Sequence, residues 1–326
     1  MKICLLFRHR DRFFSIERIF SQLGPFLSRK ATVSRWEAPY SSPKKILQNL
    51  RLVRQCRADV FHITGDIHYI VLGLPGRRTM LTIHDCIFLY SSTGLKRRLL
   101  KWLLLDMPVR RCRLVTTISE RTRQDILRYT KCRPDKVVVI PNPVDDRIRY
   151  EPAAFRIGEP VILFVGTTPN KNLDRVAEAL KGISCTLEII GKLSPEVTAM
   201  LESGGITYKN SFDLTDEAMA DKYAGADIVL FPSLFEGFGL PVIEGNKAGR
   251  VVITSNLSPM KEVAGDAACL VDPHDVASIR EGVLKVIGDE DYRASLISAG
   301  LVNAARFDAR VIAQQYVDCY KKLMTV

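Results

Sequence analysis

No apolar run in this chain approaches the roughly 18–20 residues that a bilayer-spanning helix needs. The opening MKICLLFRHRDRFF turns charged too early for a signal peptide, so its short apolar part is read as a first buried strand. No C-x-x-C pair and no histidine at zinc spacing accompany the cysteines (Cys4, Cys56, Cys86, Cys112, Cys132, Cys185, Cys269, Cys319), which argues against a zinc ribbon or a disulfide framework. They are expected to be reduced, mostly buried thiols of a cytosolic protein. No G-x-G-x-x-G follows a strand-like run, which argues against a dinucleotide dehydrogenase. Repeats and low-complexity tracts are missing too, so a solenoid or a disordered chain is not expected.

What is present is an ordinary globular composition, 47% hydrophobic and 25% charged, over 326 residues. That length exceeds most single cores, so two domains are expected. The charge is uneven. Residues 1–150 hold 30 Lys/Arg against 12 Asp/Glu, a balance of +18, and residues 151–326 hold 17 against 24, a balance of −7. The basic half calls for an anionic partner such as phosphate groups, an acidic lipid surface or nucleic acid.

Short apolar runs alternate with helix-period segments throughout. In the first half the runs are 2–7, 32–36, 59–64, 79–84, 114–119 and 137–141; in the second, 161–166, 187–191, 227–232, 251–255 and 268–272. Such alternation specifies βαβ units and parallel sheets. The Pro- and charge-rich segment 142–160 is taken as the linker, and the tail from Asp289 as two helices. The fold expected is α/β: two Rossmann-like domains facing across a cleft, with ligands at the carboxyl ends of strands.

The stretch FPSLFEGFGLPVIEG concentrates the chemistry. It follows the run DIVLF, so it forms a loop at a strand's carboxyl end. Gly237 and Gly239 let a ligand approach the backbone, and Pro241 suits the start of a helix whose free N–H groups attract phosphate. Glu236 can accept hydrogen bonds from sugar hydroxyls, and Glu244, a turn or so into the helix, from a ribose. Either glutamate alone reads as a solvated loop charge or an offset to the helix dipole. Their shared setting reads as a nucleotide-sugar site.

This stretch resembles the E-x7-E signature of retaining glycosyltransferases of family 4, which have the GT-B fold. The resemblance extends through residues 79–320, strongest over 161–275, and includes FVGTTPNKNLDRVAEAL, YAGADIVLFPS, IHDC, TTISERTRQDI and IPNPVD. It implies that Glu236 sits against the donor sugar and that Phe238, Gly239 and Leu240 offer backbone N–H groups to the diphosphate. It further implies that Glu244 holds the ribose and that Lys171 neutralises the leaving phosphates, with Gly166, Thr167 and Asn172 shaping the turn. His84 becomes the histidine near the transferred sugar. Arg8, His9, Asp85 and Ser119 border the acceptor, although Ser119 reads equally as a helix cap.

Two departures from the family stand out. The glycine-rich turn after the first strand is replaced by Phe7-Arg8-His9-Arg10-Asp11-Arg12, and no arginine precedes Lys171, leaving Lys192 or a first-domain arginine to compensate. His62, inside a strand, reads as a packed core residue. Residues 95–113 form a basic amphipathic helix ending at Pro108, with Leu99, Leu100, Leu103 and Met107 on one face. It can lie in a membrane interface, or cover the sheet with its arginines solvated.

The expected domains are 1–150 for the acceptor, 151–305 for the nucleotide sugar, and a helix over 306–326 packing back towards the first. The expected activity is retaining transfer of a hexose, such as mannose or glucose, from a nucleoside-diphosphate sugar to a glycan or lipid-linked hydroxyl in cell-surface polysaccharide or lipopolysaccharide assembly. No cofactor is expected beyond the donor as co-substrate. No D-x-D metal signature is read, so metal is expected to be dispensable. The setting is cytoplasmic, compatible with peripheral contact at the inner membrane face. The alternatives are a nucleic-acid-binding protein, which would lack nucleotide-sugar binding, and a GT-B nucleotide-sugar isomerase.

Overall fold

The computed structural model describes residues 1–9, 15–90 and 92–325. Arg10, Asp11 and Arg12, part of the turn that lacks glycine, lie outside the described residues. The chain divides into two compact units, Met1–Pro143 with Ala309–Val326, and Val144–Asp308.

The first unit is built on six parallel strands: β1 (Lys2–Phe7), β2 (Thr32–Glu37), β3 (Val60–Ile63), β4 (Thr79–Ile83), β5 (Leu114–Thr117) and β6 (Val137–Val139), ordered β2-β1-β3-β4-β5-β6. Apolar residues are continuous along β1 because both faces are covered. Ile3, Leu5 and Phe7 join one core with Phe20, Leu23, Leu27, Tyr316 and Tyr320, and Cys4 and Leu6 join another with Val53, Ile70 and Leu105. The last helix, Ala309–Met324, thus completes the first unit's core. Each such apolar side chain contributes about 1.5–3 kcal/mol by leaving water. His62 on β3 is buried here, its two ring nitrogens facing the Tyr320 hydroxyl at 2.8 Å and the Thr82 hydroxyl at 2.7 Å. Burial pushes it down to about 3, so it stays neutral.

The basic segment does not end at Pro108. An α-helix over Gly94–Lys101 runs into a π-helical turn, Trp102–Asp106, and then an α-helical segment, Met107–Arg111. Proline cannot donate to the carbonyl four residues back, and here that carbonyl, Leu104 O, is paired with His68 Nδ1 at 2.5 Å. Along this segment Leu95, Leu99 and Trp102 are exposed by 80%, 63% and 55%, whereas Leu105 and Val109 are buried.

The second unit repeats the plan with β7 (Val161–Val165), β8 (Thr186–Ile190), β9 (Tyr208–Ser211), β10 (Ile228–Phe231), β11 (Val251–Ser255) and β12 (Cys269–Val271), ordered β12-β11-β10-β7-β8-β9 and all parallel. Much of the expected linker is held within this unit. Val144 N–H donates to Phe307 O at 2.9 Å, buried Asp145 braces Arg147, and Arg147 reaches Asp216 at 2.5 Å. Arg156 pairs with buried Asp227 at 2.7 Å. All eight cysteines are free, six of them buried.

Candidate active site

In the second sheet the strand order reverses between β7 and β10. In open α/β sheets a crevice forms at the carboxyl ends of strands at such a point. Gly166 follows β7 with φ +95°, and a Cβ there would stand 2.8 Å from Lys171 Cε, so the lysine side chain lies across it. A 3₁₀ turn, Pro169–Lys171, presents Lys171 and closes on Asn172 in the left-handed region. Buried Asn172 donates to Pro232 O at 3.1 Å and Pro273 O at 2.7 Å, tying together the loops after β7, β10 and β12.

The loop after β10 is fixed from the same side. Leu234 N–H donates to Asn170 O at 2.8 Å, and Asn170 Nδ2 donates to Phe235 O at 2.9 Å. Glu236 Oε1 accepts from Lys171 Nζ at 2.7 Å and from Asn170 Nδ2 at 3.3 Å. Lys171 Nζ also stands 4.6 Å from the centre of the Phe231 ring. The ion pair is partly buried, the two side chains 19% and 15% exposed. Thr167 is turned aside, its hydroxyl donating to Lys192 O at 2.9 Å, while Lys192 Nζ lies 5.8 Å from the Phe212 ring.

The helix Leu240–Ala248 begins behind this loop. Gly239 caps it at φ +107°, where glycine is favoured, and Pro241 occupies its second position. Among the described residues, no acceptor meets the backbone N–H of Phe238, Gly239 or Leu240. A helix start of this kind is an anion site in waiting. Glu244 is 8% exposed, and its Oε2 accepts from the buried Tyr223 hydroxyl at 2.6 Å. Gly245 lets the helix lie on the sheet, since a Cβ would meet Val229 and Val252 at 2.9 Å.

The carboxyl edge of the first sheet carries the remaining expected residues. His84 follows β4, and its Nε2 faces Thr64 O at 2.7 Å. A carbonyl only accepts, so Nε2 carries the proton and Nδ1 is the acceptor of the neutral ring. Burial lowers its pKa, which keeps it neutral near pH 7. Asp85 Oδ1 accepts from Ile87 N–H at 2.9 Å, and buried Ser119 caps the helix Glu120–Thr130 through Thr122 N–H at 3.3 Å. Arg8 binds Glu17 at 3.2 Å and Asp66 at 2.6 Å, and His9 Nδ1 faces Ala38 O at 3.1 Å. Arg8, His9, Tyr40, Asp66 and Tyr69 line a hollow of about 230 Å³.

Residues 8–147 match the Glycosyltransferase Family 4 model, and residues 159–289 match Glycosyl transferases group 1. The chain belongs to glycosyltransferase family 4. A relative of this family 4 chain, the O-antigen chain mannosyltransferase B of Escherichia coli, is 27% identical over 234 residues. That match covers 65% of this chain and 61% of the relative, less than two thirds of the relative's length. The MMP alpha-(1->4)-mannosyltransferase of Mycolicibacterium hassiacum is 25% identical over 333 residues, covering 93% of this chain and 80% of that one. HepE of Anabaena, solved with UDP and glucose, superposes with a TM-score of 0.77 at 16% identity over 98% of this chain and 99% of that one. The last likeness speaks for the GT-B fold.

Several neighbours of the expected residues in each unit escaped the sequence reading. Asn170 and Tyr223 are visible in NKN and YAGAD only as polar neighbours of the motifs, and nothing in the sequence ties Tyr223 to Glu244. In the first unit's hollow, Tyr40 meets Asp66 and Tyr69, which come from a second segment. The triplet Asp289-Glu290-Asp291 does have D-x-D spacing, but it opens the helix Glu290–Ala305, with Asp289 Oδ1 accepting from Tyr292 N–H at 2.8 Å. Among the described residues no three His, Cys, Asp or Glu side chains form a group able to hold a metal ion.

Proposed function

We propose that the chain is a retaining glycosyltransferase that moves a hexose, mannose first among the candidates, from a nucleoside-diphosphate sugar to a hydroxyl of a glycan or lipid-linked acceptor in cell-surface polysaccharide assembly. The observation that carries this reading is the Lys171–Glu236 pair at the strand-order reversal of the second sheet, beside three unengaged backbone N–H groups. That arrangement offers positive charge for a diphosphate and a carboxylate for sugar hydroxyls. The mannosyltransferase relatives support mannose, and the neighbour solved with UDP and glucose supports a nucleotide-sugar donor.

In this reading the diphosphate takes the N–H groups of Phe238, Gly239 and Leu240 and draws Lys171 away from Glu236. Glu236 then accepts from the donor sugar, and Glu244, oriented by Tyr223, from the ribose. The bond from the anomeric carbon to the phosphate oxygen breaks while the acceptor oxygen bonds to the same face of that carbon. The acceptor proton passes to the departing phosphate. Lys171 and the helix start stabilise the charge that grows there, as a fixed oxyanion site does. Neutral His84 accepts a hydroxyl hydrogen bond through Nδ1. No metal is assigned a role, and the setting is cytoplasmic with peripheral contact at the inner membrane face.

A panel of nucleoside-diphosphate sugars, read by thermal shift and then by product analysis with chelator present, tests the proposal. The expected result is one stabilising donor, free nucleoside diphosphate and a lengthened acceptor of unchanged anomeric configuration. An inverted product, or an isomerised nucleotide sugar with no extended acceptor, overturns it.

A further inference from the structure

The first unit holds 31 Lys/Arg against 11 Asp/Glu, a balance of +20, while the second holds 16 against 25, a balance of −9. The site described above uses little of that positive charge. Much of it collects at the opposite edge of the first sheet, where the parallel strands begin. A groove of about 1350 Å³ there is lined by Arg77, Lys101, Arg110, Arg111, Arg113 and Lys136, with Asp106 engaged by Lys101 at 2.7 Å. A second hollow, of about 380 Å³, continues the band with Lys2, Arg54, Arg57 and Arg78 against Asp59. Among the described residues, Arg77, Arg110, Arg113 and Lys131 have no carboxylate partner. Burial chiefly, and nearby Arg133 and Arg113 to a smaller extent, lower the pKa of Lys136. Concentrating unpaired cations costs repulsion, so the band is suited to an anion outside the chain.

The groove also has an apolar margin. Leu95, Leu99 and Trp102, spaced by four and three residues, are exposed along one helix face, and Trp102 lines the groove itself. Dispersed phosphates beside an apolar layer satisfy both features together. Nucleic acid satisfies only the first, since among the described residues Trp102 and Tyr129 are the only aromatic rings lining the groove.

We infer that the amino edge of the first sheet, with the Leu95–Leu99–Trp102 ridge, is a docking surface for the phosphate headgroups of an anionic phospholipid bilayer. The inference rests on the peripheral-membrane part of the proposed function and not on donor or mechanism. Each cation near such a surface raises affinity roughly fivefold, and the apolar ridge enters the headgroup boundary. The five-residue strand β4 separates this edge from the one bearing His84 by roughly 17 Å, so an acceptor hydroxyl several sugars from its lipid is the one best reached.

The test is flotation of the full chain with vesicles of phosphatidylcholine alone or mixed with phosphatidylglycerol, alongside transfer to a soluble acceptor. The expected result is binding to the anionic vesicles only, falling steeply with salt. The triple variant Arg77→Gln/Arg110→Gln/Arg113→Gln should bind at least tenfold more weakly, and the corresponding Lys variant close to normally, both with unchanged soluble transfer. Should the Gln variant not fold, the salt titration of the native chain decides: salt-insensitive binding overturns the inference. Equal binding to both vesicles, binding of an oligonucleotide without vesicles, or saturation by inorganic phosphate without vesicles overturns it too. Loss of transfer alone counts against the proposed function and leaves the docking result readable.

Discussion

Each sheet reverses its strand order once, and at each reversal a cation meets a carboxylate. In the first unit Arg8, after β1, binds Asp66, after β3, at 2.6 Å; in the second, Lys171 binds Glu236 at 2.7 Å. The difference lies in what surrounds the pairs. Arg8 is shared with Glu17, whose side chain is only 8% exposed, so the guanidinium is committed to holding the chain beyond β1. Lys171 has one carboxylate partner, and among the described residues Glu236 Oε2 has none. The same topology thus yields a brace in one unit and a displaceable pair in the other. A site for an anion needs the second kind, because a cation already satisfied twice has little to gain from a third partner.

The largest effect that separates the two is on turnover. Lys171→Ala and Glu236→Gln should each reduce kcat by about 100- to 1000-fold, the size seen when a fixed transition-state contact is lost. Stability should fall by no more than about 2 kcal/mol, below the range for fully buried pairs, since both side chains keep some access to water. Normal turnover in both would make the second pair another brace.

Acid should distinguish the units next. His62, His68 and His84 all lie in the first unit, and burial lowers each below its usual value. A histidine with a depressed folded pKa takes up a proton on unfolding, so stability falls as pH drops below about 6.5 and continues to fall towards about 3 for His62. For His62 the slope reaches about 1.4 kcal/mol per pH unit within that window. Between pH 6.5 and about 5, hydrogen exchange should therefore rise in the first unit before the second, and His62→Gln should flatten the slope by one proton. Simultaneous loosening would contradict the assignment.

The smallest effect is Arg8→Ala. Leaving Glu17 and Asp66 without their shared partner should cost about 2 kcal/mol in urea unfolding, below the range for fully buried pairs. The donor KM should stay within about twofold.

Most strands were legible because they are buried on both faces and read as continuous apolar runs. β9, Tyr-Lys-Asn-Ser, escaped: an edge strand pairs on one side only, so its backbone suffices and its side chains remain polar. Pro108 misled for a related reason, since a donor far away in sequence, His68, replaces the hydrogen bond that proline cannot make. The segment read as the linker is anchored in the second unit by the buried carboxylate of Asp145 and by Arg147, contacts that no local pattern records.

By itself, then, the amino-acid order determined the α/β class and the family and singled out Glu236, Lys171 and Glu244 as candidates, because short-range patterns of apolar residues, glycine and proline encode strands, loops and helix starts locally. Only tertiary structure decided that Lys171 and Glu236 touch, that Tyr223 holds Glu244, that Arg8 is spoken for, and that dispersed arginines gather at one sheet edge. Those outcomes depend on strand order and crossover connections, which bring residues dozens of positions apart within hydrogen-bond reach, and no local pattern records that closure.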